Sequence, residues 1–275
     1  MTVALSLVTA FAWTAFNFWI VPISRSVDPY VASLVIMVAN GLLTIPLALA
    51  LDGIPTHEDL RPLAFAVLAG VFEVAGFILF FRALETGDLA VVAPIIGLEG
   101  GIAALAVILF GEEVGILIAV GLAISLAGGC LAAAAGRRRT AAGALPAAGS
   151  AVCLGLMFAL YAAAADLGPV SAVACGRLSA LALLGVIVLR RGVRLPGRAV
   201  CARLVGLGAI DAAAFVTYAY AAARGPVSVA AVVAGQFSTL SAVAGIIFLR
   251  ERLKLHQYIG IALAGAGTTL LALVQ

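Results

Sequence analysis

Residues 62–82 read PLAFAVLAGVFEVAGFILFFR, and residues 201–223 read CARLVGLGAIDAAAFVTYAYAAA. Each stretch is about as long as the roughly 20 apolar residues that an α-helix needs to cross the hydrocarbon layer of a bilayer. Each also carries one acidic residue near its middle, Glu73 in the first and Asp211 in the second. The two stretches therefore predict equivalent membrane-spanning helices with a carboxyl group at membrane depth.

The composition of the whole chain agrees with this interpretation. Of its 275 residues, 64% are hydrophobic and 11% are charged, whereas about a quarter of the residues in soluble domains are charged. A soluble protein of this length could not cover so much apolar surface with a polar skin. The runs are also too long, and too evenly apolar, for the alternating strands of a barrel. We therefore expect an all-α membrane protein with almost no soluble domain.

Charges, prolines and glycines divide the chain into ten apolar runs, which predict ten transmembrane helices. The runs are 3–23, 31–51, 62–82, 89–110, 114–135, 143–165, 170–189, 201–223, 227–249 and 255–274. The first is expected to be a retained helix rather than a signal peptide, because no basic segment precedes it and no cleavage site follows it. Four cysteines lack any metal-binding spacing and are expected to be packing residues. They are Cys130, Cys153, Cys175 and Cys201.

Landmark residues recur in the same order in the two halves, so residues 1–136 and 141–275 are predicted to be copies of one five-helix unit. Glu73 corresponds to Asp211 and Phe77 to Phe215, at an offset of 138 residues (73 to 211). Pro29 matches Pro169 at a slightly larger offset. Because five is an odd number, the second copy must enter the membrane from the opposite side. The sequence thus predicts two inverted repeats, an architecture that is common in transporters.

The basic residues predict an orientation. Most of the 16 Lys and Arg residues follow odd-numbered runs, and the positive-inside rule places such loops in the cytoplasm of a cell (inner) membrane, with both termini outside. These residues are Arg25, Arg82, Arg137–Arg139, Arg190, Arg191, Arg194, Arg198, Arg203, Arg250, Arg252 and Lys254. Arg137–Arg139 is also expected to contact lipid headgroups.

Each repeat closes with a Leu/Phe-x-x-Glu turn before a glycine-rich last helix. The turns are Leu109-Phe110-Gly111-Glu112 and Phe248-Leu249-Arg250-Glu251. With Trp13 in the first run, and Pro169 and Arg177 in the seventh, this pattern resembles the EamA branch of the drug/metabolite transporter superfamily over essentially the whole chain. The resemblance implies secondary transport of a small metabolite through a central cavity lined by both halves. It also implies that the fifth and tenth helices pack at the periphery.

The candidate site begins with Glu73 and Asp211, which inverted symmetry would place opposite each other. Each opens an aromatic stripe at helical spacing, formed by Phe77 and Phe80 in the first half and by Phe215 and Tyr218 in the second. Such carboxyls are expected to hold a proton or a cationic group. Ordinary packing is the alternative interpretation of the phenylalanines.

Arg177, Glu99, Gln236 and Ser238 complete the candidate site. Arg177 is expected either to bind one of the carboxylates as a buried ion pair or to bind a substrate carboxylate. Glu99 follows Pro94 and Gly97, a pattern that favours either a broken helix at the substrate site or close helix packing. The matching residues of the second half include Gln236 and Ser238, which are expected to be hydrogen-bonding residues of the cavity. Glu112, Glu251, Arg250 and Arg252 are expected to anchor helix ends and to form loop salt bridges.

These features predict a secondary, proton- or exchange-coupled transporter, with an amino acid or amine exporter as the leading hypothesis. The alternatives are an uptake carrier, a multidrug-type exporter of cationic or quaternary ammonium compounds and, less well supported, a channel. The chain has no Walker A motif, and His57 and His256 fit no metalloprotease motif, so neither an ATPase nor an enzyme is expected. The expected partners are a small-molecule substrate, protons and the lipid bilayer. No metal, cofactor or nucleic acid is expected, and the chain is predicted to be a monomer or weak homodimer.

Overall fold

The computed structural model describes residues 1–53, 60–87, 92, 95–133, 143–193, 195–241 and 254–274. These residues form ten α-helices and one short 3-10 helix, Ala165–Leu167, and no strand occurs among them. The first five helices are α1 Thr2–Ser24, α2 Pro29–Leu51, α3 Leu60–Thr86, α4 Glu99–Leu109 and α5 Ile116–Ala133. The others are α6 Ala144–Ala163, α7 Pro169–Arg191, α8 Arg198–Ala222, α9 Val227–Ala234 and α10 Leu255–Val274.

The predicted all-α membrane fold is confirmed. Six of these helices, α1, α2, α3, α6, α7 and α8, are long and apolar enough to cross a membrane. The apolar stretches described in α4, α5, α9 and α10 are shorter. The count of ten crossings therefore stays a prediction.

Both short inner helices adjoin breaks in their predicted runs. In the fourth run, helical residues 95–96 are followed by a turn at Gly97 and Leu98, and α4 begins at Glu99. In the ninth run, α9 ends at Ala234, residues 235–236 form a turn, and the chain is helical again at 237–241. Broken backbone was predicted only for the first half. Pro94, which motivated that prediction, lies outside the described residues, as do Arg137–Arg139, Arg194, Arg250, Glu251 and Arg252.

The two breaks also pack against each other, so close packing accompanies the broken helix rather than replacing it. A Cβ atom on Gly235 would lie 3.3 Å from the carbonyl oxygen of Gly97. A Cβ on Gly100 would overlap the carbonyl group of Ala231. Only glycine therefore lets α4 and α9 approach this closely.

The halves exchange contacts in a symmetric way: α1 packs on α8, while its counterpart α6 packs on α3. Two hydrogen bonds repeat the exchange in detail. The Thr9 hydroxyl donates to the carbonyl oxygen of Ala214 (3.2 Å), and the Ser150 hydroxyl donates to that of Gly76 (2.9 Å). Gly76 and Ala214 are separated by the same offset that relates Glu73 to Asp211. These equivalent bonds indicate an approximate two-fold relationship between the halves.

Helices that occupy equivalent positions in the two halves run antiparallel where they meet. In the peripheral pair α5 and α10, Gly121 lies against Leu271 and Gly128 against Ala264. In α2 and α7, Gly41 faces Leu181, whereas Asp52, just after α2, reaches the start of α7 at Val170. A two-fold axis parallel to the helices would make such pairs parallel. The observed direction fits an axis perpendicular to them, as an inverted repeat requires.

Candidate functional site

A cavity of about 50 Å³ lies between the halves, lined by residues of α1, α3, α4, α6 and α8 and by Ile96 and Phe237. This space is enough for a few water molecules. Most of the lining is aromatic: Trp13, Phe16, Phe77, Phe80, Phe158, Phe215 and Phe237. Its polar members are Asn17, Glu99 and Asp211. The predicted residues Trp13, Phe77, Phe215, Glu99 and Asp211 thus meet in one place.

Arg177 of α7 joins the two halves beside this cavity. It is fully buried, binds the carboxylate of Glu73 through Nη1, and donates from Nη2 to Oδ2 of Asp211 at 3.2 Å. Glu73 also accepts a hydrogen bond from the Tyr161 hydroxyl, at 3.1 Å. Of the two predicted roles for Arg177, the structure therefore has the buried ion pair, formed with two carboxylates rather than one.

The two equivalent carboxylates, Glu73 and Asp211, lie in different positions relative to the cavity. Glu73 does not line the cavity, whereas Asp211 does. Asp211 is nevertheless already occupied: Oδ1 accepts from the indole N–H of Trp13 (3.2 Å), and Oδ2 accepts from the Asn40 amide (2.9 Å) as well as from Arg177. The two carboxylates therefore act first as acceptors of protein hydrogen bonds rather than facing each other across an open site.

Glu99 stands in a different situation. It is the first residue of α4, lines the cavity and is 4% exposed, and its Oε2 atom has no hydrogen-bond partner among the described residues. No basic side chain lines the cavity in the described part of the chain. The positive end of the α4 dipole gives a carboxylate at this position partial stabilisation. Ionised and without a partner, a carboxylate buried in this way is costly, which makes Glu99 a candidate to bind a proton or a cation.

Gln236 and Ser238 lie outside the central cavity. They border a smaller void beside α5. The Gln236 amide donates to the hydroxyl of Ser125 (3.0 Å) and its carbonyl oxygen accepts from Thr239 (2.8 Å), while the Ser238 hydroxyl donates to the carbonyl of Gly235 (3.3 Å). Gln236 thus joins the segment after α9 to α5, while the bonds of Ser238 and Thr239 stay within that segment.

Tyr218 also lies outside the central cavity. Its ring packs on Phe158, with centroids 4.5 Å apart, and contacts Trp13 at 6.5 Å. On its other side it lines a second void of about 40 Å³, between the ends of α6 and α8 and the starts of α7 and α9. Trp13, Phe158 and Tyr218 thus form an aromatic layer that separates the two voids.

Two carboxylates of the first half bind helix starts of the second half. Oδ2 of Asp52 accepts from the backbone N–H groups of Val170 (2.7 Å) and Ser171 (2.8 Å) at the start of α7. Glu112 accepts from those of Val227 (2.7 Å) and Ser228 (3.0 Å) at the start of α9. Glu112 was expected to anchor a helix end and to form loop salt bridges. It satisfies the free N–H groups of a helix in the other repeat, and it forms no salt bridge with a described residue.

Sequence reasoning missed several residues of the site. Asn17 and Asn40 carry a signal, because each is an amide within an apolar run. Tyr161 and Phe158 carry none, since an aromatic residue in a membrane helix most often packs against its neighbours. Their roles depend on which helix of the other half they face.

Known proteins bear on the identity of the chain in three ways. A model of the EamA-like transporter family matches residues 1–134 and 141–273. A solved structure, described only as the crystal structure of a protein, shares the fold with a TM-score of 0.75 at 20% identity, over 99% of this chain and 96% of the other. No curated protein matches the sequence significantly. The family match confirms the resemblance seen in the sequence: the chain belongs to the EamA-like transporter family and is an integral membrane transporter.

Proposed function

We propose that the protein is a secondary transporter that exports a small organic solute, an amino acid or an amine, by alternating access. The observation that carries the proposal is the central cavity, which lies between two antiparallel halves. Its carboxylate Glu99 has no hydrogen-bond partner for Oε2 among the described residues. A site shared by two inverted halves can change the face to which it opens when the halves exchange conformations. The chain accordingly crosses the membrane ten times, as two inverted five-helix repeats.

The contacts at one end of the molecule support a closed gate there. Asp52 and Glu112 both connect the halves at the end of the bundle where α2 and α4 finish and α7 and α9 begin. The aromatic layer of Trp13, Phe158 and Tyr218 lies between that end and the central cavity. This end carries few basic residues, so it faces outward, and the described state is closed to the outside. The loops with the arginines are cytoplasmic, and the membrane is the inner membrane.

Coupling to protons or to a counter-substrate follows from Glu99. A carboxylate that is buried in an apolar cavity is costly when it is ionised and unpaired. It therefore binds either a proton or a cationic group at each stage of the cycle, and exchange of one for the other couples their movements. Asp211 contributes less to this exchange, because Trp13, Asn40 and Arg177 already donate to it.

Counterflow in proteoliposomes tests the proposal. Purified protein is reconstituted with an unlabelled compound inside, and uptake of the same labelled compound is followed across a panel of amino acids, amines, nucleosides and organic acids. A carrier gives transient, saturable accumulation with at least one compound, which a channel cannot produce. Flux that never saturates, or no counterflow with any compound of the panel, would contradict the proposal.

A further inference from the structure

We infer that the solute is a monocation with an apolar body and no carboxylate, so that the site selects amines over amino acids. The inference rests on the proposed transport function and narrows its substrate class. It follows from the partners of the charged groups in and around the central cavity.

The charged groups in and around the central cavity do not balance. Among the described residues, the buried core contains three carboxylates, Glu73, Asp211 and Glu99, against the single guanidinium of Arg177. Arg177 binds two of them, and Glu99 makes no ion pair among the described residues. The environment of the cavity is thus net negative when the carboxylates are ionised. A cation is the complement of such a site, because it offsets the cost of burying the third carboxylate.

The aromatic walls of the central cavity favour an organic cation. Aromatic faces attract cations, most strongly where water is excluded. The rings of Trp13, Phe16, Phe77 and Phe158 line the cavity, and their residues are all less than a tenth exposed. A compact, strongly hydrated ion would lose its water without replacing it in such a lining. An organic ammonium group attached to an apolar body gains both the carboxylate and the aromatic surface.

An amino acid, which is a zwitterion, fits this site poorly. The carboxylate of an amino acid would need a cation, and Arg177 is not available to it. Its guanidinium lies 4.3 Å from the centre of the Phe215 ring, and Phe215 lines the cavity whereas Arg177 does not. The indole N–H of Trp13 is likewise already donated to Asp211. A substrate carboxylate would therefore face Asp211 and Glu99 without compensation.

Asn17 sets a further preference. It lies one helical turn beyond Trp13 on α1 and lines the same cavity. Its amide offers a donor and an acceptor without charge. A neutral hydroxyl or carbonyl group on the solute is the group that this residue would recognise.

Three probes with the same ring test the inference on the purified protein: phenethylamine, phenylalanine and 3-phenylpropionate, which are a cation, a zwitterion and an anion at neutral pH. We expect phenethylamine to raise the melting temperature and to bind at least tenfold more tightly than the other two. The substitution Glu99→Gln should weaken the binding of phenethylamine at least tenfold. The matched control Glu113→Gln, which changes an exposed carboxylate outside the cavity, should leave the affinity unchanged.

The outcomes separate this inference from the proposed function. Equal or tighter binding of phenylalanine, or no binding of phenethylamine, overturns the inference. Counterflow of any compound in the wider panel would still uphold a carrier in that case. Failure of counterflow with every compound contradicts the carrier itself. The comparison of the three probes on the unmodified protein decides the matter even if Glu99→Gln does not fold.

Discussion

Arg177 in the second half of the chain binds Glu73 in the first, and solvent reaches neither side chain. The pair lies between α7 and α3, and Asp211 of α8 completes it from the other side. Three helices of two repeats thus meet at one guanidinium. Breaking a buried pair by removing one partner is costly, because the other charge is left without compensation.

Replacing the guanidinium should therefore destabilise the protein strongly. We expect Arg177→Met to lower the free energy of unfolding by about 3–5 kcal/mol, because it leaves two buried carboxylates unpaired. Thermal unfolding in detergent, followed by size-exclusion chromatography of the heated samples, measures the effect. Adding Glu73→Gln and Asp211→Asn to this variant should recover part of the loss, since both uncompensated charges are then gone. A variant that melts like the original protein would show that the network contributes nothing.

Glu112, whose carboxylate binds the start of α9, should contribute more to the stability of the protein than Glu113 beside it. Glu112→Ala removes the acceptor for the N–H groups of Val227 and Ser228, and loss of such a cap costs about 0.5–2 kcal/mol. Glu113 is exposed and is the matched control. We expect a lower melting temperature for Glu112→Ala and none of that change for Glu113→Ala. Equal melting temperatures for the two variants would show that Glu112 does not stabilise the contact between the halves at this end.

The contact between α5 and α10 should tolerate no extra carbon at Gly267. A Cβ atom there would lie 2.8 Å from Cα of Ser125 and 2.9 Å from the carbonyl oxygen of Gly121, whereas one at Gly265 would meet nothing within 4 Å. Overpacking of this kind costs about 1–3 kcal/mol. Gly267→Ala should therefore melt at a lower temperature, and Gly265→Ala should match or exceed the original protein. The reverse order would contradict the observed packing.

Orientation can be read by labelling of single cysteines in a background without the four native ones. Leu195, in the arginine-rich connection between α7 and α8, and Leu60, at the start of α3, are both exposed and belong to opposite ends of the bundle. An impermeant maleimide added to intact cells should label Leu60→Cys and not Leu195→Cys. Labelling of Leu195→Cys alone would reverse the assignment of inside and outside.

The sequence was most informative where charge interrupts an apolar run. The equivalence of Glu73 and Asp211 predicted the repeat, because an acidic residue at membrane depth is rare enough to align two halves. The break after α9 was missed, since Val232 stands where the first half has Pro94 and Gly235 alone does not predict a turn. Close packing against Gly97 and Gly100 fits that break instead.

The partners of the carboxylates could not be predicted in the same way. Periodicity tells which face of a helix a residue occupies, not which helix covers that face. Asn40 and Trp13 reach Asp211 from α2 and α1, which are distant in sequence. Their hydrogen bonds occupy a group that the sequence alone presented as open. Glu99, predicted as one candidate among several, lines the cavity with an Oε2 atom that has no such partner in the described part of the chain.

The hydrogen bonds that Asp52 and Glu112 accept from the other half affect how a transporter divides between its inward- and outward-facing states. In a perfectly symmetric pair of repeats, the inward- and outward-facing states would be equal in free energy. The counterpart of Glu112 is another glutamate, Glu251, but the counterpart of Asp52 is Gly192, which has no side chain to bind a helix start. One cap of about 1 kcal/mol without an equivalent biases the equilibrium several-fold. Without solute, the carrier would therefore rest facing the side from which it loads, and binding in the cavity would have to supply the difference before the solute could leave.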